Sequence, residues 1–177
     1  MKISLLVILC TSLLVGQSQL QLNTDKSSLS ILGTSSVHDW ESKVNTYTVT
    51  GQINGNQIKN LKVEIITKSI KSGKSIMDSK TYDALLEDKF PKIIFEANAL
   101  NINNQSVNGK GKLTLAGQTK DIQLKGKVTT YANGILKVEG THQLVMSQYD
   151  ITPPTAMFGS LVTGDEVTIK YNLDFTY

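Results

Sequence analysis

The sequence predicts an all-β fold: an eight-stranded antiparallel barrel with one short helix capping an end. Three observations carry that expectation. Large apolar residues alternate with polar ones along most of the chain, glycines recur on the apolar side of the alternation, and a single stretch has helical spacing. The last segment shows the rule. Val167, Ile169, Tyr171, Leu173, Phe175 and Tyr177 share one face, while Thr168, Lys170, Asn172, Asp174 and Thr176 share the other. Side chains alternate faces along a strand, so this is a strand with one buried and one solvated side. Gly111 keeps phase with Leu113 and Leu115, Gly126 with Leu124 and Val128, Gly140 with Val138 and Leu144, and Gly51 with Val49 and Ile53. An inward glycine removes side-chain volume and lets a sheet bend sharply. One sheet bent in this way is expected to close around an apolar interior, and large residues beside those glycines leave that interior under-filled.

The elements follow in chain order. Met1-Lys2 and the apolar run from Ile3 to Val15 have the pattern of a signal peptide over residues 1–18, with Gly16 and Ser18 as its small-x-small cleavage site. The run is broken by Thr11 and Ser12 and is too short for a stable membrane span. The protein is therefore expected in the periplasm or secreted, with one mature domain over residues 19–177. Cys10, the only cysteine of the 177 residues, lies in that leader, so the mature chain has no disulfide to form.

Leu29, Ile31 and Gly33 begin the first strand, and the polar stretch from Thr34 to Trp40 turns the chain. Alternation resumes from Val44 to Ile53, Asn54-Gly55-Asn56 is a hairpin turn, and Leu61, Val63 and Ile65 face inward on the return. The pattern breaks at Ser72-Gly73-Lys74. Asp78 then reads as the N-cap of a helix of about ten residues that carries Tyr82, Leu85 and Leu86 and ends before Pro91. That helix is expected to plug one barrel end. Ile93, Phe95, Ala97 and Ala99 form a further strand, and the 110s, the 120s and residues 134–146 supply more, with Asn133-Gly134 marking the last hairpin. Residues 147–165 contain Pro153-Pro154 and an apolar set among turn residues, which predicts a cap or portal loop. The total is about eight strands, a number whose barrel interior holds either side chains alone or one small ligand.

Composition excludes several functions. There are 18 basic and 15 acidic residues, a formal charge of +3, and every basic residue is lysine. Lys110, Lys112, Lys125 and Lys127 fall on outward positions, where they keep sheet edges solvated. With no arginine fork and no exposed aromatic platform, nucleic acid is not an expected partner. His38 and Asp39 suggest a dyad with Ser35 or Ser36, but neighbours on an extended chain point apart, so a turn with Trp40 packing at the barrel mouth is the better reading. The two histidines have no ligand spacing, and no phosphate-binding loop or nucleophile elbow occurs, so no metal, cofactor or catalytic residue is expected.

His142 keeps phase with Val138, Gly140 and Leu144 and so points into the barrel. Two readings stand: an anchor for a ligand head group, or a core histidine bonded to backbone or water. Tyr82, Phe95, Met146, Met157, Phe158 and Tyr171 are candidates for the cavity and its entrance, with His38 and Trp40 at the mouth. Methionine suits such a lining because it adapts to varied ligand shapes.

Two stretches resemble the YceI family of lipocalin-like, lipid-binding periplasmic proteins. The first runs from Ser69-Ile70-Lys71-Ser72-Gly73 through Met77-Asp78, Tyr82 and Leu85-Leu86 to Phe90-Pro91-Lys92-Ile93-Ile94-Phe95. The second is Gly111-Lys112-Leu113-Thr114-Leu115-Ala116-Gly117. Tyr149-Asp150-Ile151, the proline-containing loop and Gly164-Asp165-Glu166-Val167 fit the same pattern. The likeness covers nearly all of the mature chain. It implies an eight-stranded barrel with a long apolar cavity that binds an isoprenoid, quinone-like or other long-chain lipid without a metal. Without arginine, a neutral or weakly polar head group is as open as a diphosphate. The rival to a lipid carrier is a non-enzymatic cell-envelope or interaction module with a filled barrel.

Overall fold

The structure, a computed structural model, describes residues 17–177. The body of the expected leader, with Cys10, falls outside the described residues. Thirteen strands form one antiparallel system. In chain order they are β1 (Ser18–Gln19), β2 (Gln21–Leu22), β3 (Ser28–Ser35), β4 (Trp40–Val44), β5 (Tyr47–Asn54), β6 (Gln57–Ile66), β7 (Ile70–Lys71), β8 (Lys92–Asn103), β9 (Ser106–Leu115), β10 (Gln118–Ala132), β11 (Ile135–Val145), β12 (Thr155–Ala156) and β13 (Leu161–Thr176), with one helix, α1 (Ser75–Ala84), between β7 and β8.

The wall runs β5-β6-β8-β9-β10-β11-β13-β3-β4. Its two ends, β4 and β5, are successive in sequence and are joined only by Asn45 and Thr46. Counted as one bent run, they bring the wall back on itself. The barrel then has eight staves: β3, β4–β5, β6, β8, β9, β10, β11 and β13. The bend is stitched to the next segment, because Asn45 N–H donates to the Ser69 carbonyl and Ile66 N–H to that of Thr46. The amino-terminal segment lies across the seam, with β1 on β5, β2 on β13, and Leu20 buried between them. Register shifts in four ladders (β5–β6, β8–β9, β10–β11 and β13–β3) add local twist and let the sheet curl.

The turns match their chemistry. Asn133-Gly134 and Ala116-Gly117 each have positive φ at both positions, the geometry that fits the twist of a two-residue hairpin. The sequence marks the first turn plainly and the second weakly, since alanine does not favour that conformation.

Two expectations are corrected. The helix begins at Ser75, so Asp78 is inside its first turn and is not the N-cap. Its carboxylate instead accepts from Ser72 N–H and Ser72 Oγ, both at 2.7 Å, and tethers the preceding loop. The helix ends at Ala84, with Leu86 in the left-handed region, well before Pro91. The 147–165 stretch is also more ordered than a plain loop. Tyr149 and Ile151 are buried, and β12 pairs with the start of β13 to make a small flap whose tip is Met157–Gly159. Asp165 holds its base by accepting from Ser147 N–H at 2.8 Å and from Ser147 Oγ.

The barrel has polarity. The 54–57, 103–106 and 132–135 turns and the chain end gather at one end, where Leu100, Ile102, Val107 and Leu136 are fully buried and form a packed floor. The 36–39 loop, α1, the 115–118 turn and the flap gather at the other end, the mouth.

Candidate functional site

Above the floor lies a cavity of about 630 Å³, within the range of about 300–1,000 Å³ common for small-molecule sites. Its wall includes Ile31, Val63, Leu113, Leu124, Ile169 and Leu173. All six point inward by phase, yet each keeps partial exposure, because what they face is empty space. At the mouth the lining passes onto one stripe of α1, Ile76, Met77, Lys80, Thr81 and Ala84, and onto Leu85 just beyond it. That spacing of three to five residues places one helix face over the opening.

The inward glycines act differently from the simplest expectation. They are not themselves the void, because aromatic rings occupy the space they leave. Gly33 is paired across strands with Trp40 and Gly140 with Tyr171, while the Phe95 ring lies over Gly111. A Cβ at any of these glycines would run into the ring. Each ring therefore packs over a glycine on the wall and lines the lumen from there. Tyr171 reaches across Gly140 and Gly126, and its hydroxyl donates to the Lys125 carbonyl at 2.7 Å. Burial pushes its pKa up to about 12, so it remains a neutral donor. Gly140→Val is expected to drive this ring into the lumen at a cost of about 1–3 kcal/mol, readable by chemical denaturation, and to shrink the space for a ligand.

The structure brings together seven of the nine residues singled out in the sequence. His38, Trp40, Phe95, His142, Met146, Met157 and Tyr171 line the cavity or its mouth. Tyr82 does not, and Phe158 stands on the flap at the mouth without lining the cavity. The Tyr82 hydroxyl shares its proton between the Lys68 and Ile70 carbonyls at 2.9 and 3.1 Å and accepts from Lys71 Nζ, so it pins α1 to the strand beside it. Phe158 projects from the flap tip into solvent. Trp40 donates from Nε1 to the Thr34 carbonyl at 3.0 Å and closes the 35–39 loop. His38 Nδ1 contacts the backbone oxygen of Asp39 at 2.8 Å, and Ser35 Oγ donates to the His38 carbonyl, so neither group is arranged as a nucleophile and base. Among the described residues no cluster of three His, Cys, Asp or Glu is placed to hold a metal.

His142 is half-buried on a row that passes from it to Ile169, Ile31 and Ser42 across three ladders. Desolvation lowers its pKa below the usual 6.5. The folded state thus binds the proton less readily than the unfolded chain. Its stabilising contribution is complete above about pH 6.5 and fades as pH falls towards the depressed folded value. The lipid-free protein is expected to lose thermal stability on acidification from pH 7 to 5.5, and His142→Leu is expected to flatten that slope in a melting series.

The inward phase that Tyr47 shares with Val49, Gly51 and Ile53 is plain in the sequence, but the candidate site residues omit it, and it lines the cavity. Its hydroxyl is buried with no hydrogen-bond partner, the only such side-chain atom among the described residues. Burial raises its pKa. The helix stripe was also missed, because Lys80 and Thr81 interrupt its apolar pattern.

Comparison with known proteins agrees with this geometry. Among solved structures, Burkholderia cenocepacia BcnA superposes with a TM-score of 0.75 at 16% identity, covering 87% of this chain and 99% of its own. A polyisoprenoid binding domain from Saccharophagus degradans, implicated in plant cell wall breakdown, gives 0.67 at 14% identity, with 89% and 97% covered. A Campylobacter jejuni YCEI protein gives 0.66 at 18% identity, with 77% and 84% covered. At these identities the likeness shows the shared fold. No curated protein shares enough sequence with the chain to count as a match. The family model described as the YceI-like domain matches residues 20–175, nearly the whole barrel from Leu20 to Phe175, and the chain belongs to that family.

Proposed function

We propose that this protein is a carrier that encloses the tail of one long-chain lipid, isoprenoid or fatty-acid-derived, and works by binding without turnover. The observation that carries the reading is the apolar cavity of about 630 Å³, whose lining contains no acidic side chain. The polyisoprenoid binding domain with the same fold supports it. Affinity would come mainly from the tail: ten buried methylenes contribute about 8 kcal/mol before ordering costs are subtracted. The head would lie towards His142 or the mouth. A filled-barrel interaction module requires a packed interior, which the cavity disfavours.

The test is a melting series with the C20 isoprenoid alcohol geranylgeraniol and with the C5 alcohol isopentenol. A carrier is stabilised by mass action with the long ligand only. Equal, negligible shifts with both would refute it.

Export through the leader at residues 1–18 completes the reading. Leu20 is buried, and its N–H donates to the Gly51 carbonyl at 2.9 Å, so cleavage beyond it would open the seam. Amino-terminal sequencing of exported protein is expected to begin at Gln19 or earlier.

A further inference from the structure

Among the described residues, the exposed large apolar ones are confined to one end of the barrel. Val37 lies on the 36–39 loop, and Ile76, Leu86 and Phe90 lie on α1 or just after it. Met157, Phe158 and Val162 lie on the flap. Among the described residues no other large hydrophobic side chain is as exposed, and all of these lie on segments at the mouth end. Scattered exposed hydrophobics need no explanation, but their concentration at one end of a barrel does.

The flap tip strengthens the point. Met157 and Phe158 have φ of 51° and 55°, both left-handed, and Gly159 follows at 88°. Side chains adopt that region at a cost, and such strain collects where function requires it. Here it holds Met157, 74% exposed, at the edge of the mouth and turns a fully exposed Phe158 into solvent.

Charge completes the pattern. The only charged residues lining the cavity are Lys74 and Lys80, both at the mouth, and neither is ion-paired among the described residues. The neighbouring Lys68 and Lys71 are already held, by Glu87 at 3.0 Å and by Asp78 at 3.7 Å. The 36–39 loop and α1 also carry the exposed carboxylates of Asp39 and Asp83, but the lining at the opening holds only the two unpaired ammonium groups, and these with the apolar side chains are complementary to a phospholipid surface, with acyl chains below and phosphates at head-group level. Lysine stems lie along apolar surface while their heads stay in the polar layer.

We infer that the mouth is a membrane-docking face: the flap tip and the exposed α1 edge insert shallowly into a phospholipid bilayer, and Lys74 and Lys80 meet lipid phosphates. Shallow insertion of this kind scales with buried apolar area and with attraction to anionic lipid. The barrel then opens directly onto the phase in which a long-chain lipid resides, so the lipid need not cross water. This last consequence rests on the carrier reading; the docking itself does not.

The experiment pairs two assays on the wild type, on Phe158→Ser/Val162→Ser, two exposed flap side chains outside the cavity lining, and on Lys74→Gln/Lys80→Gln. The first is flotation with vesicles of phosphatidylcholine alone and with 30 mol% phosphatidylglycerol, the added anionic lipid being the variable. The second is binding of a fluorescent long-chain fatty acid delivered from cyclodextrin, with no membrane present. The wild type is expected to float, more with phosphatidylglycerol. The flap variant is expected to lose at least tenfold in vesicle binding, and the lysine variant to lose the dependence on phosphatidylglycerol. The flap variant should take the probe from cyclodextrin as the wild type does, which also shows that it folds, and the lysine variant is shown to fold by an unchanged melting curve.

Wild-type protein that stays with neither vesicle overturns the proposal, as does a flap variant that floats undiminished. A mouth-to-mouth dimer seen by sedimentation and dissolved by the flap substitutions, with no flotation, assigns the rim to a second copy and likewise overturns it. Failure of every protein to take the probe from cyclodextrin, with flotation intact, refutes the carrier reading and leaves docking standing.

Discussion

Ile169→Trp combined with Leu124→Trp is expected to abolish lipid retention while leaving the protein folded and at least as stable as the wild type. Both side chains are inward-facing, partly exposed and set on the cavity wall, on β13 and β10. In a packed core, two such enlargements would force neighbouring side chains off their rotamers at about 1–3 kcal/mol each. Here the indoles enter empty space and gain contacts that the native side chains lack. Filling a cavity of this kind commonly adds about 0.5–2 kcal/mol. The volume they take is volume a tail would fill, and each excluded methylene removes about 0.8 kcal/mol of binding. Loss of three or four methylenes would weaken affinity roughly a hundredfold. Intact-mass analysis under non-denaturing conditions, beside a melting curve, reads both halves of the expectation. A double variant that retains its cargo, or unfolds, would show that these residues do not face a void.

Truncation should separate the two ends of the barrel just as sharply. Leu136→Ala, in the fully buried floor, is expected to cost about 2–5 kcal/mol, the transfer loss plus the new cavity. Leu113→Ala, a wall position with the same chemistry, is expected to cost about 1 kcal/mol or less in lipid-free protein, because it deepens a void that already exists. Denaturant titration of the two variants measures the contrast directly. Equal losses would place Leu113 in packed core and leave too little space for a tail. The lipid-loaded protein should be more sensitive at Leu113, since the truncated side chain then removes contact with the ligand.

The fold was legible because its signals are local and repeated. Alternation along β13 and β11, and a turn as plain as Asn133-Gly134, give strands and their reversals wherever one face meets solvent. The closure was less legible, because β4 and β5 act as one bent stave and its kink at Asn45–Thr46 carries no special residue. The helix start was misplaced because Asp78 has N-cap chemistry but spends it on Ser72, a partner six residues away. The flap was hidden because a two-residue strand is too short to show a period.

At the site, phase alone places His142, Phe95, Met146 and Tyr171 on the lining, since inward position follows from alternation. It says nothing about what a ring does next. Tyr171 folding over Gly140 and Tyr82 anchoring the helix both depend on partners remote in sequence, Lys125 in one case and the Lys68–Ile70 carbonyls in the other. Phe158 reads as cavity lining by composition and stands in solvent because the tip residues adopt left-handed φ. Lys80 was passed over because a charged residue within an apolar stripe looks like a break in the pattern. Its place at the mouth makes it a feature of the opening.

The most direct measurement is native mass spectrometry of the protein, purified without detergent. A barrel whose hollow upper half serves as a lipid container should appear with one non-covalent guest of lipid mass, released as the collision energy rises. The bare polypeptide alone, obtained repeatedly from membrane-rich expression hosts, would mean that the void is never filled and that the molecule does not carry lipid.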